Sequence, residues 1–274
     1  IRNLAIESPI SNFQFPISNF KFSHDRIQEA AYSLIPDHEK APLHLNIGRV
    51  LRKKIPQDQQ EERIFEIVHQ LNAGRILVEQ PEDRMMLAEL NLQAGRKAKA
   101  STAYHPALKH FEIGIELLPE ESWESHHTLT FALYRERYEC AYLTGDFAQA
   151  EKLFALILAH AKTNLEKVEI YNIKIVQYTV MGKNEEAIRK GREALKLLGM
   201  ELPEHNVQAA TEREFEDIPI NLGTRKIADL IHLPVMSDQE HEESTKLLLN
   251  LLSPAHHSHP ALWSFITGRI VNLT

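Results

Sequence analysis

Apolar residues recur every three or four positions along most of this chain, which is the spacing of one face of an α-helix. Pro36, Pro56 and Pro81 each follow such a stripe and are predicted to end a helix, because proline cannot continue one. The apolar members of the first four stripes are Ile27, Ala30, Ala31 and Leu34; Leu43, Ile47, Val50 and Leu51; Ile64, Ile67, Val68, Leu71 and Leu77; and Met85, Leu87, Leu90, Leu92 and Ala98.

A different period marks the first 22 residues. Residues 9–15 read Pro-Ile-Ser-Asn-Phe-Gln-Phe, and residues 16–22 repeat them as Pro-Ile-Ser-Asn-Phe-Lys-Phe. Within each copy phenylalanine alternates with a polar residue, as in a half-buried strand. A small β-hairpin fits this pattern, and a recent duplication lying in a loop fits it equally well.

Three later segments are alike and are predicted to begin helices, at residues 104–107, 147–150 and 184–187. Each ends in alanine, and a small or apolar residue recurs four and seven places further on. The three alanines are 43 and then 37 residues apart, the spacing of helix-pair repeats. Gly145 and Gly182 precede the second and third segments and are expected to form the tight turn between paired helices.

Small and large residues of this repeat have different expected roles. The alanines would let two helices approach closely, and phenylalanine would fill the space between neighbouring pairs. The intervals resemble the tetratricopeptide repeat, although the Trp-Leu-Gly signature of its first helix is missing. The resemblance implies an all-α, irregular tetratricopeptide-like solenoid, with expected packing residues Ala107, Phe111, Ala150, Phe154, Ala187 and Ala194.

The pattern weakens after Pro203. Pro219 and Pro234 are predicted to interrupt it, with a connection at residues 218–222. A helix is expected at about residues 238–252, and a last one near Pro260.

Composition and charge narrow the range of partners. A net charge of −7 argues against nucleic acid, which needs a clustered basic face. The short basic run Arg52-Lys53-Lys54 is better explained as a solvated helix end than as a phosphate-binding site. No apolar run approaches the roughly 20 residues that span a bilayer, and no signal peptide opens the chain. Cys140 stands alone, so we expect no disulfide, which fits a cytoplasmic location. The chain begins with Ile1 and ends at Thr274 without a charged tail, so we expect a piece cut from a larger protein.

No catalytic motif stands out. The chain lacks a Gly-rich phosphate loop and the motif set of a protein kinase, and His241-Glu242 lacks the second histidine of a zinc-protease helix. The histidines at positions 256, 257 and 259 are expected in a loop, where a solvent-facing role is favoured over a metal site. No catalytic residue, metal site or cofactor is therefore predicted within this chain.

One motif is more specific. Residues 22–34 place His24 and Asp25 at the first turn of an apolar helix. From the residues alone, Ser23 or Asp25 is favoured as a helix cap, with His24 merely packing. The stretch also resembles the end of the winged-helix domain of STAND-class signalling ATPases, in which the histidine of an apolar-His-Asp motif reaches the β-phosphate of bound ADP. The resemblance implies that His24 and Asp25 sense a nucleotide held by an ATPase core outside this chain.

More of the chain resembles large bacterial sensor kinases. These combine a serine/threonine kinase domain, a STAND-type ATPase, helical repeats, a GAF domain and a histidine kinase. The similar stretches are residues 44–51, 67–72, 88–98, 101–104 and 197–199. The resemblance implies the end of a winged-helix domain over residues 1–55, tetratricopeptide-like repeats over 56–202 and irregular repeats over 203–274. It also implies ATP or ADP with Mg²⁺ bound elsewhere in the parent protein.

The expected function is a non-catalytic regulatory arm between a nucleotide-switch ATPase and downstream sensor and histidine kinase domains. Its partners would be neighbouring domains of the same protein or a protein or peptide ligand. The alternative is a free-standing peptide-binding scaffold that uses the surface of the repeats. A third hypothesis, an enzyme, would require a deep pocket with convergent titratable groups.

Overall fold

A computed structural model describes residues 24–232 and 237–273, and every regular element in that part of the chain is helical. The all-α prediction is therefore confirmed, whereas the hairpin expected at residues 9–22 and the cap expected at Ser23 lie outside the described residues. The helices are α1 (Asp25–Ser33), α2 (Asp37–Lys54), α3 (Gln57–Gln60), α4 (Ile64–Ala73), α5 (Pro81–Ala100), α6 (Tyr104–Leu117), α7 (Ser122–Ser125), α8 (His127–Leu143), α9 (Phe147–His160), α10 (Asn164–Val180), α11 (Asn184–Leu197), α12 (Val207–Leu222), α13 (Gln239–Ser258) and α14 (Pro260–Leu273), with 3-10 helices at Arg75–Leu77 and Ile227–His232.

The chain divides into two compact units, Ile1–Glu136 and Arg137–Thr274, and the division falls within α8. In the first unit α2 packs on α4, α4 on α5, and α5 on α6. In the second unit α9 packs on α10, α10 on α11, α11 on α13, and α14 on both α12 and α13. Because helices pack mainly on their neighbours in the chain, each unit has a helical-repeat fold. The boundaries expected after residues 55 and 202 stay predictions.

The three repeated segments begin helices as predicted. Helices α6, α9 and α11 start at Tyr104, Phe147 and Asn184, the first residue of each segment. Gly145 and Gly182 form the turns before α9 and α11, with φ angles of +84° and +71° that an L side chain rarely adopts. These two turns were correctly predicted from the sequence.

In the first unit, α5 and α6 meet where a glycine faces a phenylalanine. The Phe111 side chain is fully buried, and a Cβ atom added at Gly95 would lie 2.3 Å from its ring. A methyl group has no room at that distance, so the ring occupies space that any side chain at position 95 would need. Close approach of the two helices therefore depends on Gly95.

The second unit uses the same kind of contact between α11 and α13. A Cβ atom added at Gly191 would lie 2.5 Å from two side-chain carbons of Leu251, which is fully buried. Leu251 belongs to a continuous apolar cluster. Its fully buried members are Val168, Ile175, Ala187, Ala194, Leu195, Leu247, Leu248, Leu251, Ala255 and Ile266.

Three sequence-based helix boundaries are wrong, and proline is the reason in each case. Pro81 begins α5 rather than ending the helix before it. Proline fits in the first turn because the backbone N–H that it lacks has no hydrogen-bond partner within the helix there. Residues 218–222 were expected to be a connection, but α12 continues through Pro219. The helix predicted at 238–252 continues through Pro254 to Ser258, so His256 and His257 lie in its last turn and not in a loop.

None of the helices in the described ranges is both long and apolar enough to cross a membrane.

We predict that Gly95→Ala destabilises the protein by about 1–2 kcal/mol. The new methyl group must displace the buried ring of Phe111, and this overpacking outweighs the roughly 1 kcal/mol by which alanine favours a helix. Urea unfolding followed by circular dichroism measures the change. If the contact with Phe111 causes this destabilisation, the Gly95→Ala/Phe111→Leu double variant loses less free energy of unfolding than the two single variants together. Full additivity, or a stabilised Gly95→Ala protein, would contradict this account.

Candidate functional site

The predicted nucleotide-sensing residues lie at the start of α1. His24 is the N-cap residue, with an extended backbone and no capping hydrogen bond from its side chain. Asp25 is the first helical residue, where its carboxylate complements the helix dipole instead of capping the helix. Both side chains are exposed to solvent. Their contact with a nucleotide stays a prediction.

Helix α1 is joined to the rest of the first unit by a relay of polar side chains. None of its residues is buried. The Tyr32 hydroxyl lies 2.8 Å from Nε2 of His44 on α2, and Nδ1 of His44 lies 2.6 Å from Oε1 of Gln70 on α4. Because the Gln70 oxygen can only accept, the assigned geometry puts a hydrogen on Nδ1 and lets Nε2 of a neutral His44 accept from Tyr32. Gln70 itself is buried.

The six predicted packing residues are all buried. The four alanines and Phe111 have no exposed surface, and Phe154 is 9% exposed. The ring of Phe154 lies edge-on to that of Tyr171, with centroids 5.7 Å apart. The residues concerned are Ala107, Phe111, Ala150, Phe154, Ala187 and Ala194.

In the second unit, the rings of Phe154 and Tyr178 lie against a buried lysine. Lys174 on α10 is 1% exposed, and its ammonium group pairs with the carboxylate of Glu151 on α9. The ammonium nitrogen also lies 4.9 Å from the ring centroid of Phe154 and 4.5 Å from that of Tyr178. Burial lowers the pKa of Lys174, and the adjacent Glu151 opposes this effect. The ion pair and the two rings together compensate for the hydration that the ammonium group loses on burial.

A buried amide extends this cluster to a third helix. Oε1 of Gln177 lies 3.3 Å from the Lys174 ammonium nitrogen and accepts a 3.1 Å hydrogen bond from the Tyr138 hydroxyl. Burial raises the pKa of Tyr138, so this hydroxyl stays protonated and continues to donate. The lysine is engaged by Glu151 and Gln177, which favours a role in joining helices over one as a nucleophile.

The first unit holds a second charged cluster, centred on Glu136. This carboxylate is 2% exposed and accepts from Nε of Arg96 at 2.8 Å and from Arg135 at 2.7 Å. Lys99 pairs with its other oxygen. Burial alone would raise the pKa of Glu136, but the hydrogen bonds and charges of Lys99 and Arg135 outweigh it and lower the pKa from 4.5 to about 2. The carboxylate thus ties α5 to α8 and stays ionised.

Neither cluster was predicted from the sequence. The partners of Glu136 on α5 are 37 and 40 residues away in the chain, and no local spacing marks such a pair. The only sequence signal was a charged residue within an apolar stretch, as Lys174 is among Ile170, Ile173 and Ile175. Within residues 24–232 and 237–273, no group of three or more His, Cys, Asp or Glu side chains could hold a metal ion.

We predict that Glu136→Gln lowers the free energy of unfolding by about 3 kcal/mol at pH 7, the energy that corresponds to a pKa of about 2 in place of 4.5. A lowered pKa stabilises the fold above pH 4.5, and this stabilisation is lost as the pH falls towards 2. The difference between variant and wild type should therefore shrink over that window. Urea unfolding at several pH values measures it.

Glu89→Gln is the matched control, because Glu89 is exposed on α5. It should change the stability by less than about 0.5 kcal/mol. A difference between Glu136→Gln and wild type that stays constant between pH 7 and pH 2.5 would show that the charge of Glu136 is not what stabilises this cluster.

No protein-family model and no solved structure matches the chain. The chain is similar to Hybrid signal transduction histidine kinase G of Dictyostelium discoideum, with 28% identity over 243 residues. The match covers 80% of this chain but 7% of that protein, so the chain spans a small part of the relative's length. The comparison shows distant homology to a segment of a hybrid histidine kinase. A STAND-type ATPase, tetratricopeptide repeats, a serine/threonine kinase domain and a bacterial source stay predictions.

Proposed function

We propose that this chain is a non-catalytic regulatory arm of a signal-transduction histidine kinase. The observation that carries the proposal is the similarity to a hybrid histidine kinase, which extends over 80% of the chain. An all-α repeat fold suits the role, because within each unit the helices pack on their neighbours and leave their outer surfaces for contact with other domains. The partners would be neighbouring domains of the same protein.

The input to this arm would be nucleotide state. Residues 22–34 resemble the end of a STAND-type winged-helix domain. By this resemblance, His24 and Asp25 would contact ADP that is bound together with Mg²⁺ in an ATPase core outside this chain. Both side chains are exposed and therefore accessible to such a ligand. A ligand acts on a switch only through different affinities for two states, so His24 would favour the ADP-bound arrangement.

The relay from Tyr32 to Gln70 would carry that input further. It is built from hydrogen bonds of 2.8 Å and 2.6 Å, and it ends at a buried side chain of α4. A displacement of α1 that keeps the Tyr32–His44 hydrogen bond would shift His44. His44 would in turn displace Gln70, which is buried in the first unit.

We predict that His24→Ala in the full-length kinase speeds ADP release at least about tenfold. A hydrogen bond to a charged phosphate contributes roughly 1.5–3 kcal/mol, which corresponds to about tenfold or more in affinity. Release of a fluorescent ADP analogue, chased with excess ADP, measures the rate. The variant removes no buried group, since His24 is exposed.

His38→Ala serves as the control, because His38 is also exposed, at the start of α2. It should release ADP at the wild-type rate. If His24→Ala also releases ADP at that rate, the contact between His24 and nucleotide does not exist, and the proposed input to the arm is wrong.

A further inference from the structure

The end of α2 in the first unit borders a pocket of about 490 Å³. Arg49, Arg52 and Lys53 line one side of it, and Asp83 is the one carboxylate among its lining residues. Asp83 is already paired with Arg49, at 3.1 Å. The lining therefore carries two positive charges in excess, those of Arg52 and Lys53.

The helix dipole explains only part of this charge. Cations in the last turn of a helix are favourable, and Arg52, Lys53 and Lys54 occupy the last turn of α2. Arg49, however, lies one turn earlier and is spaced three and four residues from Arg52 and Lys53. Like charges at these spacings repel each other on a helix surface. Asp83 offsets the charge of Arg49, so Arg52 and Lys53 are the two cations of this stripe whose charge is not balanced within the lining.

Two carbonyl groups at the end of α2 are bound by a glutamine rather than by these cationic side chains. The amide of Gln60 donates to the carbonyl oxygens of Arg52 and Ile55, at 2.9 Å and 3.1 Å. Within residues 24–232 and 237–273, the side chains of Arg52 and Lys53 form no hydrogen bond or ion pair. The described part of the chain therefore leaves both cationic groups available to bind a ligand in the pocket.

Two apolar residues also line the pocket. They are Leu71, which is 2% exposed, and Met86. Leu71 also packs against Gly48, where an added Cβ atom would lie 2.6 Å from its side chain. Gln57 adds a side-chain amide at the rim, which can donate to an oxyanion. A lining that combines cationic and apolar side chains suits a ligand with an anionic group and a carbon skeleton.

We propose that this pocket binds a small soluble molecule bearing a phosphate group. Two excess positive charges match a phosphate dianion, and the planar guanidinium of Arg52 suits bidentate contact with its oxygens. The site uses none of the residues in the proposed nucleotide input. His24→Ala should therefore leave it unchanged, and the two proposals succeed or fail separately.

Calorimetric titration of the whole chain with sodium pyrophosphate at about 50 mM salt tests the proposal. We expect saturable 1:1 binding that weakens at about 300 mM salt, because the charges are then screened. Arg52→Gln and Lys53→Gln should each weaken binding by about threefold to tenfold, and the double variant by more. Circular dichroism and thermal unfolding check that each variant is folded.

Lys54→Gln is the matched control, because Lys54 belongs to the same basic run but does not line the pocket. It should bind pyrophosphate as the wild type does. Absence of saturable binding would overturn the proposal, as would a Lys54→Gln variant weakened as much as Arg52→Gln. Equal binding of citrate would show that the pocket does not select phosphate.

Discussion

The fold depends on helices that approach each other where one presents a glycine and its neighbour a large apolar side chain. Gly95 lies under the ring of Phe111 in the first unit, and Gly191 lies under Leu251 in the second. At such a contact the backbone of one helix touches the side chain of the next, so neither can shift without moving the other. The interior of each unit is consequently built from pairwise contacts, as expected of a repeat fold.

The sequence predicted these helices well where its repeat was clear and poorly where proline intervened. Gly145 and Gly182 marked their turns because glycine readily adopts a positive φ angle. Pro81 and Pro219 misled, because proline is compatible with a first turn and, when packing compensates, with a later one. The sequence alone does not distinguish a proline that ends a helix from one that lies within it. The residues that pack around the proline decide whether the helix continues.

The chemistry of the interior was harder to predict than its helices. Lys174 is buried because Glu151 and two aromatic rings surround it, and Glu136 is ionised because three cations reach it. No local spacing in the chain marks the contacts that join different helices, namely those of Lys174 with Glu151 and Phe154 and those of Glu136 with Arg96 and Lys99. Arg52 and Lys53 lie in the last turn of a helix, as the sequence indicated, but the pocket beside them requires Leu71 and other residues from neighbouring elements.

A regulatory arm needs an input, a path and an interior that responds as a unit, and the first unit offers a path from exposed α1 through His44 to buried Gln70. The most direct test is hydrogen–deuterium exchange of the full-length protein with ADP bound and with the nucleotide removed. The arm hypothesis predicts that exchange in α1, and in the segments of α2 and α4 around His44 and Gln70, changes with nucleotide state. Identical exchange across residues 24–232 and 237–273 in the two states would contradict it.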